Sequence, residues 1–322
     1  MRWLVLLLCL TASLVRAEDV EDRARLFEQT YADWMDMADV RAGAIALRYD
    51  GRPVATWARG MAPDRPVAIA SLSKSITAAC VAALVDAGDL TYDTPARDVL
   101  DLPDAAPTTI GALLSHATGL RKDYTQGPMA FWRDRPEPRW QEITERALAP
   151  DRLTPGAPSY YYSNENYAVL GTVIEAITGQ PYDTACRTLV LDPAGVTAEP
   201  SDRFGAYLPW GGWALSVGDF AQFLDHVAGP EGVLTDRLSD LPRIPIDGPL
   251  SYGMGLLQRD TGEAINVWHF GALCFIDGPN LGSYAVHWQA GWTVTVWYDA
   301  CATLPDMQAL DMALAKVAHG GQ

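Results

Sequence analysis

Apolar residues first recur at helical spacing near the N-terminus. Leu26, Phe27, Tyr31, Trp34 and Met35 predict an amphipathic helix over 21–39. The pattern then shortens to that of two strands, 42–48 and 53–59, with Asp50-Gly51 between them as a hairpin turn. A longer helix is expected over 73–87, stopped by Gly88. Helical pieces broken by proline-rich loops follow at 109–115, 140–149 and 166–178, the last ended by Gly179, and another helix at 218–227. The C-terminal third changes character. Residues 284–289 and 293–298 are aromatic and β-branched and read as strands, and 307–318 closes the chain as a helix. Strands at both ends and helices between them predict an α+β domain interrupted by a helical one.

The first residues read as an address rather than as structure. Met1-Arg2 supplies a positive charge, 3–10 is almost wholly apolar, and Val15-Arg16-Ala17 precedes the acidic Glu18-Asp19. This layout predicts a secretory signal peptide, 1–17, cleaved after Ala17, and a periplasmic or secreted protein. A lipoprotein signal at Cys9 and a buried first helix are the competing readings. No later stretch comes close to a membrane span, so no stable insertion is expected once the signal is gone.

Composition narrows the partners. The 322 residues are 49% hydrophobic and 20% charged, as in packed globular proteins, with a net charge of −16. Such acidity disfavours nucleic acid and anionic lipid as partners, and no protein partner is deducible. Cys80, Cys186, Cys274 and Cys301 show no C-x-x-C and no histidine clustering, so zinc is not expected. In an oxidising compartment four cysteines allow three pairings or none. Cys80 lies on an apolar helix and suits a buried thiol, whereas Cys274 and Cys301 flank a run of strands and are the pair expected to be joined.

Lysine is rare here, at positions 74, 122 and 316 only, so a lysine inside a motif stands out. Ser71-Leu72-Ser73-Lys74 opens a helix, and its spacing places Ser71 and Lys74 on one face, one turn apart. A desolvated lysine can take a serine's proton, and the helix N-terminus favours the developing negative charge. Tyr162-Ser163-Asn164 offers a phenol that ionises more readily beside an ammonium and can pass protons, and an amide that can hold a substrate carbonyl; alternatively it is a tyrosine-rich turn capping a helix. Trp268-His269-Phe270-Gly271-Ala272 enters the strand-rich end, where glycine lets substrate lie against the strand edge. The backbone N–H groups of Ser71 and Ala272 could then form an oxyanion hole. His269 could equally be a packed core residue.

The order Ser-x-x-Lys, Tyr-x-Asn, His-x-Gly resembles the penicillin-binding protein and class C β-lactamase superfamily, which includes D-alanyl-D-alanine peptidases, D-aminopeptidases and β-lactamase-like esterases. Stretches 113–120, 212–221 and 252–256 resemble its Leu-Leu-x-His-x-x-Gly-Leu, Gly-Gly-x-x-(Ser/Thr)-x-x-Asp-(Leu/Phe)-Ala and Tyr-Gly-x-Gly segments. The resemblance implies an antiparallel sheet flanked by helices, formed by 18–72 and 205–322, with a mainly helical domain, 73–204, inserted and the active site at their junction. It implies Ser71 as acylated nucleophile, Lys74 as its base, Tyr162 as acid–base, Asn164, His269 and Gly271 as substrate-binding, and neither metal nor organic cofactor. His116 falls in a segment that is mainly structural in that family. One departure is Phe270, which stands where a carboxylate-binding hydroxyl is usual. The stretch from Tyr162 to His269 is also short for the family, implying a more open cleft that Trp210, Trp213 and Trp268 could line. The reading favoured is an ester- or amide-cleaving serine hydrolase acting on a small-molecule or peptidoglycan-fragment substrate. A D-alanyl-D-alanine carboxypeptidase or weak β-lactamase comes second, and a non-catalytic binding protein third.

Overall fold

The computed structural model describes residues 2–120, 122–135, 137–153 and 158–320. The chain opens with α1 (Arg2–Met37), then β1 (Gly43–Tyr49) and β2 (Arg52–Arg59). Asp50 and Gly51 both take positive φ, 45° and 75°, as a tight hairpin turn requires. After β3 (Val67–Ala68) comes a short 3₁₀ turn, Ala70–Leu72, that runs straight into α2 (Ser73–Ala87). Gly88 ends α2 in the left-handed conformation, φ 84°, which only glycine adopts without strain. The helical middle follows: α3 (Ala96–Val99), α4 (Ile110–Leu114), α5 (Met129–Trp132), α6 (Trp140–Ala147), α7 (Asn164–Thr178) and α8 (Tyr182–Cys186). The chain then forms β4 (Glu199–Pro200), β5 (Trp213–Leu215) and α9 (Val217–Ala228). It returns to the sheet through β6 (Ile244–Asp247), β7 (Leu250–Gly253), β8 (Leu256–Asp260), β9 (Ile265–Leu273), β10 (Leu281–His287) and β11 (Trp292–Tyr298), and ends in α10 (Leu304–Ala318).

Eight strands form one antiparallel sheet in the order β2-β1-β11-β10-β9-β8-β7-β6, so both ends of the chain meet at β1 and β11. Helices cover both faces. Phe27, Tyr31, Trp34 and Met35 of α1 and Leu310 and Leu314 of α10 pack on Ile45, Tyr284, Val286, Val294 and Val296. On the opposite face α9 lays Val217 and Ala221 against Ala44 and Ala46. The α2–α9 side joins Val267, Leu273, Leu281 and Ala285 of the sheet in the largest core cluster.

The stretch 70–87 is long and apolar enough to cross a bilayer. This differs from the expectation that no stretch beyond the N-terminus comes close to a membrane span. It is the buried helix α2, and its small side chains (Ala78, Ala79, Cys80, Ala82) let neighbours approach closely. Cys274 and Cys301 are joined, as expected, with Cα atoms 5.5 Å apart. Cys80 and Cys186 are buried free thiols.

Candidate active site

Ser71 sits in the 3₁₀ turn where the sheet meets α2. Its neighbour Ala70 is held at φ 50°, a costly value for a residue with a Cβ. Contacts from the sheet maintain it. Ser283 of β10 donates its hydroxyl to the Ile69 carbonyl at 2.7 Å. A Cβ on Gly271 would come within 2.7 Å of that carbonyl oxygen and 2.3 Å of Ser283 Oγ. Only glycine therefore lets β9 lie this close to the turn that carries Ser71.

Lys74, one helical turn on, is fully buried. Its Nζ lies 3.1 Å from Ser71 Oγ and 2.8 Å from the Trp210 carbonyl. It also stands 4.9 Å from the centre of the Tyr162 ring. It has no ion pair among the described residues. Burial without a counter-ion brings its pKa down to about 7, against a smaller upward pull from Asp123. A large fraction is thus neutral near pH 7, able to accept the Ser71 proton while donating to Trp210.

The Ser71 side chain lies close enough to the Tyr162 hydroxyl to pull its pKa down. The Tyr162 ring packs 4.5 Å from that of His116 and 6.0 Å from that of His269. Its pKa moves opposite to the sequence expectation. Burial pushes it well above the ordinary phenol value, outweighing the downward pull of Ser71, so Tyr162 is a neutral hydroxyl that can relay a proton rather than a phenolate. Ser163 caps α7 by accepting from Glu165 N, which starts that helix at Asn164 instead of 166. His116 holds this segment in place. Its carbonyl accepts from Tyr161 N at 3.0 Å, and its Nδ1 accepts from Asn166 Nδ2 at 2.8 Å.

Asn164 is 3% exposed and lines the cavity. Thr125 donates its hydroxyl hydrogen to Asp123 Oδ1 at 2.7 Å, so its oxygen accepts from Asn164 Nδ2 at 3.0 Å. That fixes the amide orientation and leaves Asn164 Oδ1 buried with no partner. Trp210, another cavity-lining residue, likewise has a buried indole N–H without a partner.

Strand β9 pairs with β10 along Val267–Leu273 but with β8 only along Ile265–Trp268, so the edge beyond Trp268 is free of β8. His269, Phe270, Gly271 and Ala272 line the cavity there. His269 has both ring nitrogens engaged: Nδ1 donates to the Phe270 carbonyl at 2.5 Å, and Nε2 accepts from the Tyr252 hydroxyl at 3.1 Å. Burial, with Lys74 nearby, lowers its pKa to about 3, so it is uncharged at neutral pH. Tyr252, which also lines the cavity, entered the sequence reading only as part of a matching strand; its place beside His269 had no local signal.

The cavity has a volume of about 460 Å³. Ser71, Tyr162, Asn164, His269, Gly271 and Ala272 all line it, with Lys74 directly beneath Ser71. Met129, Leu257, Phe270, Leu273, Leu304 and Met307 make the rest largely apolar. Of the three tryptophans expected in the cleft only Trp210 lines it. Trp213 is fully buried in the α2–α9 core, and Trp268 packs on the other face with α1 and α10. The geometry brings no metal cluster together among the described residues.

An antiparallel sheet clad on both faces, with a serine–lysine pair where it meets a buried helix, defines an α+β protein of the β-lactamase/transpeptidase fold. The Beta-lactamase family model matches residues 27–318, and the chain belongs to that family of hydrolases. It is 33% identical over 253 residues to penicillin-binding protein 4 of Amycolatopsis lactamdurans, covering 70% of this chain and 62% of that protein. It is 28% identical to a D-aminopeptidase of Brucella anthropi over 72% of this chain and 51% of the relative. It is 33% identical to esterase EstB of Burkholderia gladioli over 51% of this chain and 45% of the relative. The chain thus spans about half to three fifths of the length of these curated relatives. Among solved structures, the D-amino acid amidase of Ochrobactrum anthropi SV3 superposes with a TM-score of 0.75 at 20% identity, over 93% of this chain and 99% of the amidase. SurE gives 0.72 at 20% identity, over 94% and 77%. At such identities the likeness is one of fold.

Proposed function

We propose that this chain is an exported serine hydrolase that cleaves ester or amide bonds through an acyl-enzyme on Ser71. The observation that carries this reading is Lys74, buried, without a counter-ion and 3.1 Å from Ser71 Oγ. Neutral Lys74 takes the Ser71 proton as Oγ attacks the substrate carbonyl. The backbone N–H groups of Ser71 and Ala272 receive the oxyanion at the free edge of β9. Tyr162, which lines the cavity with Ser71 and whose ring lies 4.9 Å from Lys74 Nζ, carries the proton to the leaving group and later helps activate the deacylating water. Asn164 lines the acyl side, and His269 holds Tyr252 against the cavity. The apolar walls suit an uncharged acyl or alcohol group. The Cys274–Cys301 disulfide supports an oxidising compartment, in keeping with a signal peptide cleaved after Ala17.

The peptidase or β-lactamase reading ranks second. A substrate carboxylate entering the cleft needs a donor or cation in return for its lost hydration, and Phe270 and a neutral, fully engaged His269 offer neither. The test is intact mass after a fluorophosphonate and, separately, after benzylpenicillin. Labelling by the first alone supports the ester/amide hydrolase. Labelling by both moves the penicillin-recognising reading ahead, and labelling by neither leaves a binding protein. N-terminal sequencing of the exported protein checks the cleavage site.

A further inference from the structure

Two residues of the cavity wall, His269 and Tyr252, are tied to one another. Strand β9 parts from β8 after Trp268, and His269 is the next residue. Tyr252 reaches it from β7, the strand beyond β8. The Phe270 carbonyl can only accept, so its hydrogen bond at 2.5 Å puts the ring proton on His269 Nδ1. In the neutral imidazole Nε2 is then an acceptor, and the Tyr252 hydroxyl donates to it at 3.1 Å. The tyrosine is fully buried and the histidine 4% exposed, which shields the tie from water.

The surroundings keep the ring uncharged. Lys74 of α2 lowers its pKa, as burial does, and the opposing pull comes from the Phe270 carbonyl rather than from a carboxylate. The Tyr162 and Tyr252 rings stand 6.0 and 5.7 Å away, and burial holds both phenols neutral. His116, packed 4.7 Å from Tyr252, is kept neutral by burial too. An anion brought against this wall gives up hydration and finds no donor at His269, whereas an uncharged group gives up little. We propose that Tyr252 is a positioning residue that sets the charge selectivity of the cavity: by donating to His269 Nε2, it withholds from a substrate carboxylate the one ring nitrogen that could carry a proton to it. Without the tyrosine hydroxyl, Nε2 can take a proton and meet a carboxylate as an imidazolium. The substrates preferred by the wild type are then uncharged beside β9. This rests on the hydrolase reading above and deepens it.

The test compares kcat/KM for p-nitrophenyl hexanoate and mono-p-nitrophenyl adipate, whose acyl chain ends in a carboxylate. Their ratio cancels the protonation of Lys74, which both esters share. Wild type should favour the hexanoate. In Tyr252→Phe the ratio should move toward the adipate by about 10-fold or more, the range of a charge-assisted hydrogen bond. It should move further at pH 6 than at pH 8, because the imidazolium exists only below its pKa. Adding His269→Leu to that variant should restore the wild-type ratio. A ratio unchanged by Tyr252→Phe, or a shift that survives the loss of His269, overturns the proposal. Should the variants not fold, nitrogen NMR of the wild-type imidazoles decides: His269 should be the neutral Nδ1–H tautomer at pH 6, and an Nε2–H tautomer or an imidazolium overturns the tie. Fluorophosphonate labelling of wild-type Ser71 runs alongside, and its failure sinks the hydrolase reading alone. Calorimetric titration of monomethyl adipate then still judges Tyr252: tighter binding by Tyr252→Phe than by wild type supports the proposal, and equal binding overturns it.

Discussion

Two of the buried polar clusters among the described residues are finished differently. Under β1 and α9, Asp225 is almost wholly buried and fully answered. Arg48 Nε donates to it at 2.9 Å and Thr293 Oγ1 at 2.7 Å, while His287 shares the same threonine. Beside the Ser71 turn, Lys74 is as deeply buried but meets only a neutral hydroxyl and a carbonyl. Burying a charge costs free energy unless it is paired. The first cluster meets that cost with a partner. The second avoids it by letting the lysine lose its proton near pH 7. A satisfied buried group holds the fold together, whereas one left unpaired is available for chemistry.

The sharpest way to break this contrast is at Ser71. Ser71→Ala should lower hydrolysis of a short p-nitrophenyl ester by at least about 10⁴-fold while leaving the denaturation midpoint unchanged. A residual rate within tenfold of wild type would remove Ser71 as nucleophile. Lys74→Met should cost about 10²- to 10⁴-fold in turnover, the worth of a general base, without lowering the midpoint, because no ion pair is lost. In the wild type kcat/KM should rise with pH through an inflection near 7, since protonated Lys74 cannot accept the serine proton. A flat profile between pH 5 and 9, well beyond one unit either side of that inflection, would exclude the lysine as base.

Asp225→Ala should do the reverse. It strands the Arg48 guanidinium and should destabilise by about 3–5 kcal/mol, with ester turnover per folded molecule unchanged. A loss of turnover equal to that of Lys74→Met would erase the distinction between the clusters. The smallest expected effect is at the cavity wall. Phe270→Thr offers a hydroxyl worth roughly 1.5–3 kcal/mol to a bound carboxylate, or about 10- to 150-fold in benzylpenicillin acylation. Phe270 stacks 4.7 Å from Tyr284, so ester turnover is the control for loosened packing. Rapid acylation of the wild type would show that Phe270 is no barrier.

What could be read from the sequence followed from distance along the chain. Ser71 and Lys74 sit one helical turn apart, and Tyr162 and Asn164 are two residues apart, so spacing alone brings each pair together. The Trp210 carbonyl, 136 positions from Lys74, leaves no side-chain signal at all. Thr125 and Asp123, which orient the Asn164 amide, lie in a loop without periodicity. Strands β7 and β9, in which buried residues follow one another, were not read from pattern for a related reason. The sheet is clad on both faces, so β9 keeps buried residues on each side and the alternation of a half-exposed strand fades. For Tyr162 the expected neighbour was right and the balance wrong, because burial raised its pKa more than nearby groups lowered it.

The Cys274–Cys301 bridge fastens the end of β9 to the segment leading into α10. Leu273 and Leu304, one on each side of it, both line the cavity mouth. Closing a span of 27 residues is worth about 3.5 kcal/mol in the chain-entropy account. Under the export proposed above, the Ser71–Lys74 pair would already be in place in a reducing cytosol, while the bridge beside the cavity would close only after translocation, when an oxidant is met. Maturation, and not synthesis, would then date the moment at which the cleft acquires its working shape.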